Sequence, residues 1–223
     1  METVRILEVK QSVFANNDAQ ADKLRQELKE KGIYLLNLMS SPGSGKTTTL
    51  TRLIAAVQDD LKIGVMEADI DSDVDAKTIA ATGAKAIQLH TGGMCHLDAA
   101  MTRQGLEGLD SNDADLVILE NVGNLVCPAE FDTGAVANMA ILSVPEGHDK
   151  PLKYPLMFQV CDTVLINKID VAPYFDFDFD KCREYIHMRN PKANIYPISA
   201  KTGEGVEAVA AFLKEEVAKW KGV

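Results

Sequence analysis

The 223-residue chain is short of positive charge: 23 lysines and arginines stand against 33 aspartates and glutamates, for a formal net charge of −10. With no basic patch to meet phosphates along a strand, a nucleic-acid partner is not expected. No hydrophobic stretch is long enough to span a bilayer, and the opening METVRILEVKQ lacks the apolar middle of a signal peptide. No membrane association is therefore expected. Four cysteines, Cys95, Cys127, Cys161 and Cys182, in a chain without export signals point to reduced thiols and a cytoplasmic location. No internal repeat or low-complexity tract appears, and the length suits a single α/β domain with a large core.

What the chain does have is concentrated in SSPGSGKTT, Ser40 to Thr48, directly after the apolar run Ile33–Met39. Apart from Ser40 in the leading glycine's place, this fits G-x-x-x-x-G-K-[ST]. Leu50, Leu53, Ile54 and Val57 then recur at i, i+3, i+4 and i+7, one face of a helix. Strand, loop and helix in that order form the phosphate-binding P-loop. Backbone N–H groups around Gly43, Ser44 and Gly45 can curl round phosphate oxygens because little side chain intervenes, and the helix N-terminus adds partial positive charge. Lys46 would neutralise the β- and γ-phosphates, the Thr47 hydroxyl would ligate Mg²⁺, and Thr48 completes the cradle. A glycine-rich turn before an ordinary helix is the plain alternative, and the flanking strand and helix disfavour it.

Further apolar segments read as strands: Lys62–Glu67, Ala86–Leu89, Leu116–Leu119, Met139–Val144, Thr163–Ile166 and Ile195–Ile198. Helical or loop stretches between most of them predict βαβ units: an α/β P-loop NTPase domain, with a mainly parallel sheet flanked by helices on both faces. One domain is expected over 1–223, with 1–32 a helical flank and 33–223 the core. Asp18–Lys31 reads as a helix ended by Gly32 and packed on the sheet, and Gly205–Lys221 as a closing helix carrying the single tryptophan, Trp220. The run FDFDFD, Phe175–Asp180, is expected to lead into a helix with its aromatics turned inward.

Asn167-Lys168-Ile169-Asp170, at the end of a strand, fits N-K-x-D. A carboxylate there accepts from guanine N1–H and the exocyclic amine, whereas adenine would leave it unsatisfied. Ser199-Ala200-Lys201 follows the last strand and matches the S-A-K loop of GTPases. Two base-reading motifs in order after a P-loop favour GTP over ATP. Leu116–Gly123 is an apolar strand ending in Glu120-Asn121-Val122-Gly123, like D-x-x-G with glutamate for aspartate. Glu120 would bind Mg²⁺ or position the attacking water, and the Gly123 N–H would meet the γ-phosphate; a capping glutamate and a turn glycine are the alternative. Of Asp69, Asp71, Asp73 and Asp75, beyond the strand Lys62–Glu67, Asp69 and Asp75 are the candidates for Mg²⁺ or the attacking water.

Cys95-His96 and Cys127 supply two thiolates and an imidazole, a ligand set for Zn²⁺ that also suits Ni²⁺. The spacing is not that of a zinc finger, so buried structural cysteines are the default. Against that default, Cys127 lies only four residues beyond Gly123. Three ligands also leave a tetrahedral or square-planar site open to a fourth from another subunit or partner. Cys161 and Cys182 read as packing.

SSPGSGKTT, TGGMCHLDA, ILENVGNLVCPAEFD, NKID and SAKTGEG together resemble the HypB family of hydrogenase nickel-incorporation GTPases, over nearly the whole chain. The resemblance implies a GTP-dependent homodimer, a metal site at the dimer interface on Cys95, His96 and Cys127, a HypA-like nickel chaperone as partner, and delivery of nickel to the [NiFe]-hydrogenase large-subunit precursor. It also makes Lys153, in KPLKYP, a candidate to approach the nucleotide. No cysteine or histidine precedes His90, which argues against the nickel-storage role of relatives with such N-terminal motifs. The urease-type nickel GTPases share the P-loop and N-K-x-D, but the separate Cys127 favours the hydrogenase branch. A small-molecule kinase would have no need for N-K-I-D, and a zinc-stabilised interaction module would have little need for GTP.

Overall fold

Eight parallel strands form one sheet in the order β1-β4-β3-β5-β2-β6-β7-β8. In this computed structural model residues 5–8, 16–69, 74–110 and 112–222 are described, with side chains except at 5–8, 69 and 74. The strands are β1 (Arg5–Glu8), β2 (Tyr34–Ser40), β3 (Ile63–Asp69), β4 (Lys85–His90), β5 (Leu116–Glu120), β6 (Ala137–Ser143), β7 (Thr163–Asn167) and β8 (Asn194–Pro197). Both faces are covered, so β2, β5 and β7 are buried at every position, and an apolar run marks such strands better than alternation does.

Helices α2 (Lys46–Val57), α3 (Val74–Ala80) and α9 (Val206–Lys221) cover one face, where Leu50, Leu53, Ile54, Ile79, Val209 and Leu213 meet Leu36, Leu38, Val65 and Ile118. On the other face lie α1 (Asn17–Lys31) and α4 (Ala99–Leu109), with Leu24, Leu28 and Met101 against Leu35, Met66 and Leu119. The short α5 (Cys127–Glu130) and α6 (Lys150–Lys153) lead to α7 (Pro155–Val160) and α8 (Phe179–Arg189), which extend that layer over β6 and β7 through Met157, Phe158, Cys182 and Ile186.

β1 differs from expectation: four residues of the presumed helical flank form the edge strand, paired with β4. Four residues are too few for a period to be read. α1 ends as expected, with Gly32 in the left-handed conformation at φ 68°. Trp220 donates from Nε1 to the Ile33 carbonyl at 2.8 Å and meets Tyr34 edge-on, which ties α9 to the start of β2. Within FDFDFD, Phe177 and Phe179 turn inward, while Phe175 remains exposed.

Connections reverse direction at β2. From it the chain crosses β5 to reach β3 on one side, and β6 lies on the other, so the crevice at the carboxyl ends opens above β2. One glycine holds the loop beneath that crevice. Gly205 has φ 74°, and a Cβ there would lie 2.3 Å from the Pro197 carbonyl oxygen. Gly205→Ala combines left-handed strain with overlap against backbone that cannot yield. It should cost about 3 kcal/mol. Thermal denaturation should find the midpoint roughly 6–12 °C lower.

Candidate functional site: the phosphate cleft and the thiol pair

The loop Ser41–Gly45 leaves β2 and enters α2 with Gly43 at φ 74° and Gly45 at φ 98°. A Cβ on Gly45 would fall 2.6 Å from Asn167 Nδ2, so glycine is required here by contact as well as by conformation. Asn167 explains the closeness. Its amide donates to the Ser44 carbonyl at 2.9 Å, and its Oδ1 accepts from the Ala200 N–H at 3.1 Å, joining phosphate loop and base loop through one buried side chain. Lys168, at φ 64°, donates to the Gly43 carbonyl at 2.6 Å.

Ser40, the departure from the motif, is fully buried and works within the loop. Its Oγ accepts from Ser44 Oγ at 2.7 Å and from Lys46 Nζ at 3.1 Å. Lys46 also lies 3.9 Å from Glu120 Oε1. A Cβ on Gly123 would sit 3.3 Å from Lys46 Nζ, so the loop after β5 passes directly over the lysine. A cavity of about 620 Å³ opens here, lined by Gly43, Gly45, Lys46, Thr47, Thr48, Asp75, Glu120, Gly123 and Lys168 together with Glu67 and Gln88.

Ser199 Oγ donates to Asp170 Oδ1 at 2.7 Å, which orients the carboxylate. Arg52, on α2, donates to the carbonyls of Ala200 and Lys201 at 3.1 Å each and so fixes the S-A-K loop to the P-loop helix. The phosphate and base motifs thus converge at the carboxyl edge of the sheet.

Other sequence candidates fall differently. Asp69 ends β3, and its side chain is outside the described set, as are Asp71 and Asp73 altogether. Lys153 is not among the cavity's lining residues. It is exposed and pairs with Asp149 at 2.6 Å. Two residues were missed. Glu67 and Gln88 lie side by side on β3 and β4, 3% and 0% exposed, in strands that otherwise read as apolar. A polar residue within a doubly covered strand was the available signal. Burial, then the charge and hydrogen bond of the neighbouring Glu120, then Asp75, hold Glu67 well above the usual carboxylate range, with Lys46 opposing.

Cys95 follows the turn Thr91–Met94, closed by the Thr91 hydroxyl on the Met94 carbonyl at 2.7 Å, and Cys127 opens α5. The neighbouring Cys127 thiol pushes the Cys95 thiol up, and burial adds to it. Cys95 Sγ lies 3.8 Å from His96 Nδ1. The His96 ring stacks on Phe131 at 3.5 Å between centroids, its Nε2 is buried without a partner among the described residues, and burial lowers its pKa. Asn124 Nδ2 donates to Cys127 Sγ at 3.4 Å. Cys95 lies near both His96 and Cys127, yet among the described residues no group of three or more His, Cys, Asp or Glu is placed to hold a metal ion within one chain. Cys161 and Cys182 are buried in the core, with the Cys182 thiol pushed up to about 12.

A family model described as the CobW/HypB/UreG nucleotide-binding domain matches residues 34–197. The hydrogenase maturation factor HypB of Rhizobium leguminosarum bv. viciae is 44% identical over 219 residues, 98% of this chain and 73% of that protein. The crystal structure of HypB from Helicobacter pylori in complex with nickel aligns with a TM-score of 0.86 at 40% identity, covering 92% of this chain and 96% of that one. HypB from Archaeoglobus fulgidus aligns at 0.85 and 38% identity, over 92% and 100% of the two chains.

Proposed function

Because the chain belongs to the CobW/HypB/UreG nucleotide-binding family and, within it, to the HypB hydrogenase maturation factors, we propose that it is a GTP-hydrolysing switch that carries nickel for [NiFe]-hydrogenase maturation. Residues 33–223 act as the GTPase core and 1–32 as its flank. Lys46 and the N–H groups of Gly43–Thr48 hold the β- and γ-phosphates, Asp170 with Ser199–Lys201 reads guanine, and Gly123 meets the γ-phosphate. Thr47, Asp69 and Glu120 suit Mg²⁺, a hard cation bound through oxygen, and the buried Glu67 Oε1, without a hydrogen-bond partner among the described residues, fits a cation nearby. When bound, Mg²⁺ would neutralise charge on the phosphates. An acidic group among Asp69, Asp75 and Glu120 orients the attacking water.

The observation that carries this reading is that two functions share one short segment. Glu120 and Gly123 lie beside Lys46, while Cys127, four residues on, is near enough to Cys95 to push its thiol up. A loop that shifts with the γ-phosphate moves a thiolate ligand with it. Nickel or zinc is the cargo, held by Cys95, His96 and Cys127 and completed by the same residues of a second copy across a GTP-dependent two-fold interface. A HypA-like chaperone and the hydrogenase large-subunit precursor, in the cytoplasm, are the partners.

Nickel bound at equilibrium tests the coupling. With Mg²⁺ present, affinity with GDP and with a non-hydrolysable GTP analogue should differ by about fivefold or more, and Cys127→Ala should remove the difference. Equal affinity in both nucleotide states would make the metal an independent structural ion.

A further inference from the structure

Three polar side chains form a row across the carboxyl ends of β4, β3 and β5, on the face covered by α2 and α3. Gln88 pairs in register with Glu67, and Glu67 with Glu120. All three are at most 3% exposed, and all three line the phosphate cleft. Among the described residues, neither amide atom of Gln88 has a hydrogen-bond partner, and neither does Glu67 Oε1. Burying unsatisfied polar groups in central strands is destabilising, and such positions ordinarily take valine, isoleucine or leucine. The row therefore answers to something that enters the cleft.

The chemistry of the row limits what that is. The Glu67 carboxyl oxygen and the Gln88 amide oxygen ask for donors while Gln88 Nε2 asks for an acceptor, so phosphate oxygens, which only accept, do not suit the row as a whole, and a partner that both donates and accepts does. Water is such a partner. The carboxyls of Glu67 and Glu120, with Asp75 on the cavity wall, also make this corner attractive to a cation. Magnesium sheds its waters reluctantly and keeps several of them when bound to a nucleotide, and those waters are strongly polarised donors that need acceptors.

We propose that Glu67 and Gln88 are positioning residues that hold the outer waters of the nucleotide-bound Mg²⁺, steadying the cation beside Glu120 and Thr47. This rests on reading the cleft as a Mg²⁺–GTP site. The row is the floor beneath the cation, and the P-loop and nucleotide are its roof. Outer partners of this kind fix the orientation of directly bound ligands, and their loss typically weakens metal binding by about 10- to 100-fold.

The test is a MgCl₂ titration of the full-length protein loaded with a fluorescent GDP analogue, after stripping the cation with EDTA. Glu67→Gln should raise the Mg²⁺ midpoint about tenfold, and Gln88→Met, which keeps the volume and removes the amide, should raise it by roughly threefold or more. Nucleotide affinity measured in EDTA should change by less than about twofold, because Mg²⁺ and its waters are then absent. Excess Mg²⁺ should restore GTP hydrolysis in both variants, which repair of a merely misfolded core would not do. Gln88→Met carries the test if Glu67→Gln does not fold. Unchanged Mg²⁺ midpoints in folded variants would overturn the proposal and leave the row holding structural water alone. A wild-type complex indifferent to Mg²⁺ would overturn the reading of the cleft as well, and that outcome is visible before any variant is made.

Discussion

Replacing Asp170 with asparagine should convert the protein from a guanine-nucleotide to a xanthine-nucleotide binder. The carboxylate presents two acceptors, which match N1–H and the 2-amino group of guanine. Ser199 Oγ already donates to Oδ1 at 2.7 Å, so the carboxylate plane is held before any base arrives. Asparagine keeps one acceptor and substitutes an NH₂ donor for the other. That donor faces the guanine amine, donor against donor, whereas the 2-oxo group of xanthine accepts from it. A site built to hydrogen-bond a specific group rejects the wrong partner strongly, because its own buried polar groups go unpaired. The expected loss of GTP affinity is about 10³-fold, or about 4 kcal/mol, with XTP binding to the variant at least as well as GTP does. Competition against a fluorescent guanine nucleotide by GTP, XTP and ATP reads all three. Retention of GTP within about fivefold would move base recognition away from Asp170. Asn167→Ala should behave differently. Its amide binds the Ser44 carbonyl and its Oδ1 the Ala200 N–H, so it holds the site together without distinguishing bases, and its loss should weaken every nucleotide alike.

The contrast between these two residues indicates what a sequence can convey. The N-K-x-D and S-A-K motifs were legible because each requires particular residue types at fixed spacing, and the strands were legible because a doubly covered parallel sheet makes each one an apolar run bounded by turns. The structure adds long-range partners that spacing cannot encode. Ser40 reads as a lost glycine, yet its hydroxyl accepts from both Ser44 and Lys46. Glu146 carries no motif, yet it accepts from the Ser41 hydroxyl at the mouth of the P-loop and from the Ser143 N–H at 2.8 Å. Glu67 and Gln88 were absorbed into strands because a single polar residue at the end of one apolar run, or within another, does not interrupt it. They become a feature only when the register puts them side by side. Lys153, which the family resemblance made a candidate to approach the nucleotide, is exposed and pairs with Asp149, a partner that no motif conveys. β1 is the fold-level counterpart, since its pairing with β4 is decided across about eighty residues of chain.

Lys46→Met should produce the largest loss of activity. The lysine is held by Ser40 Oγ at 3.1 Å and faces Glu120 Oε1 at 3.9 Å, with a side chain only 12% exposed. On the proposed GTPase reading it is pre-placed where the β- and γ-phosphates arrive, and methionine keeps the stem while removing the charge. Removing a single preorganised donor to a developing charge costs about 10²–10³-fold in rate, so GTP turnover should fall by about 10³-fold, and GTP affinity should fall more than GDP affinity because the γ-phosphate loses its neutralising partner. A merely structural lysine would instead lower both affinities equally. The electrostatics supply a second readout, in nucleotide-free protein. Lys46 lowers the pKa of Glu67, which burial, Glu120 and Asp75 otherwise raise well above the carboxylate range. A carboxyl whose folded pKa is raised contributes stability that is fully present below its unfolded pKa and is lost as pH rises through the folded value. Without Lys46 that folded pKa moves higher still. The variant should therefore take up a proton at the buried pair and hold its stability at mildly acid pH, then lose more stability than wild type as the pH is raised. Thermal melts across that range, in EDTA and without nucleotide, measure the difference, and parallel wild-type and variant curves would mean that the lysine charge does not reach the pair.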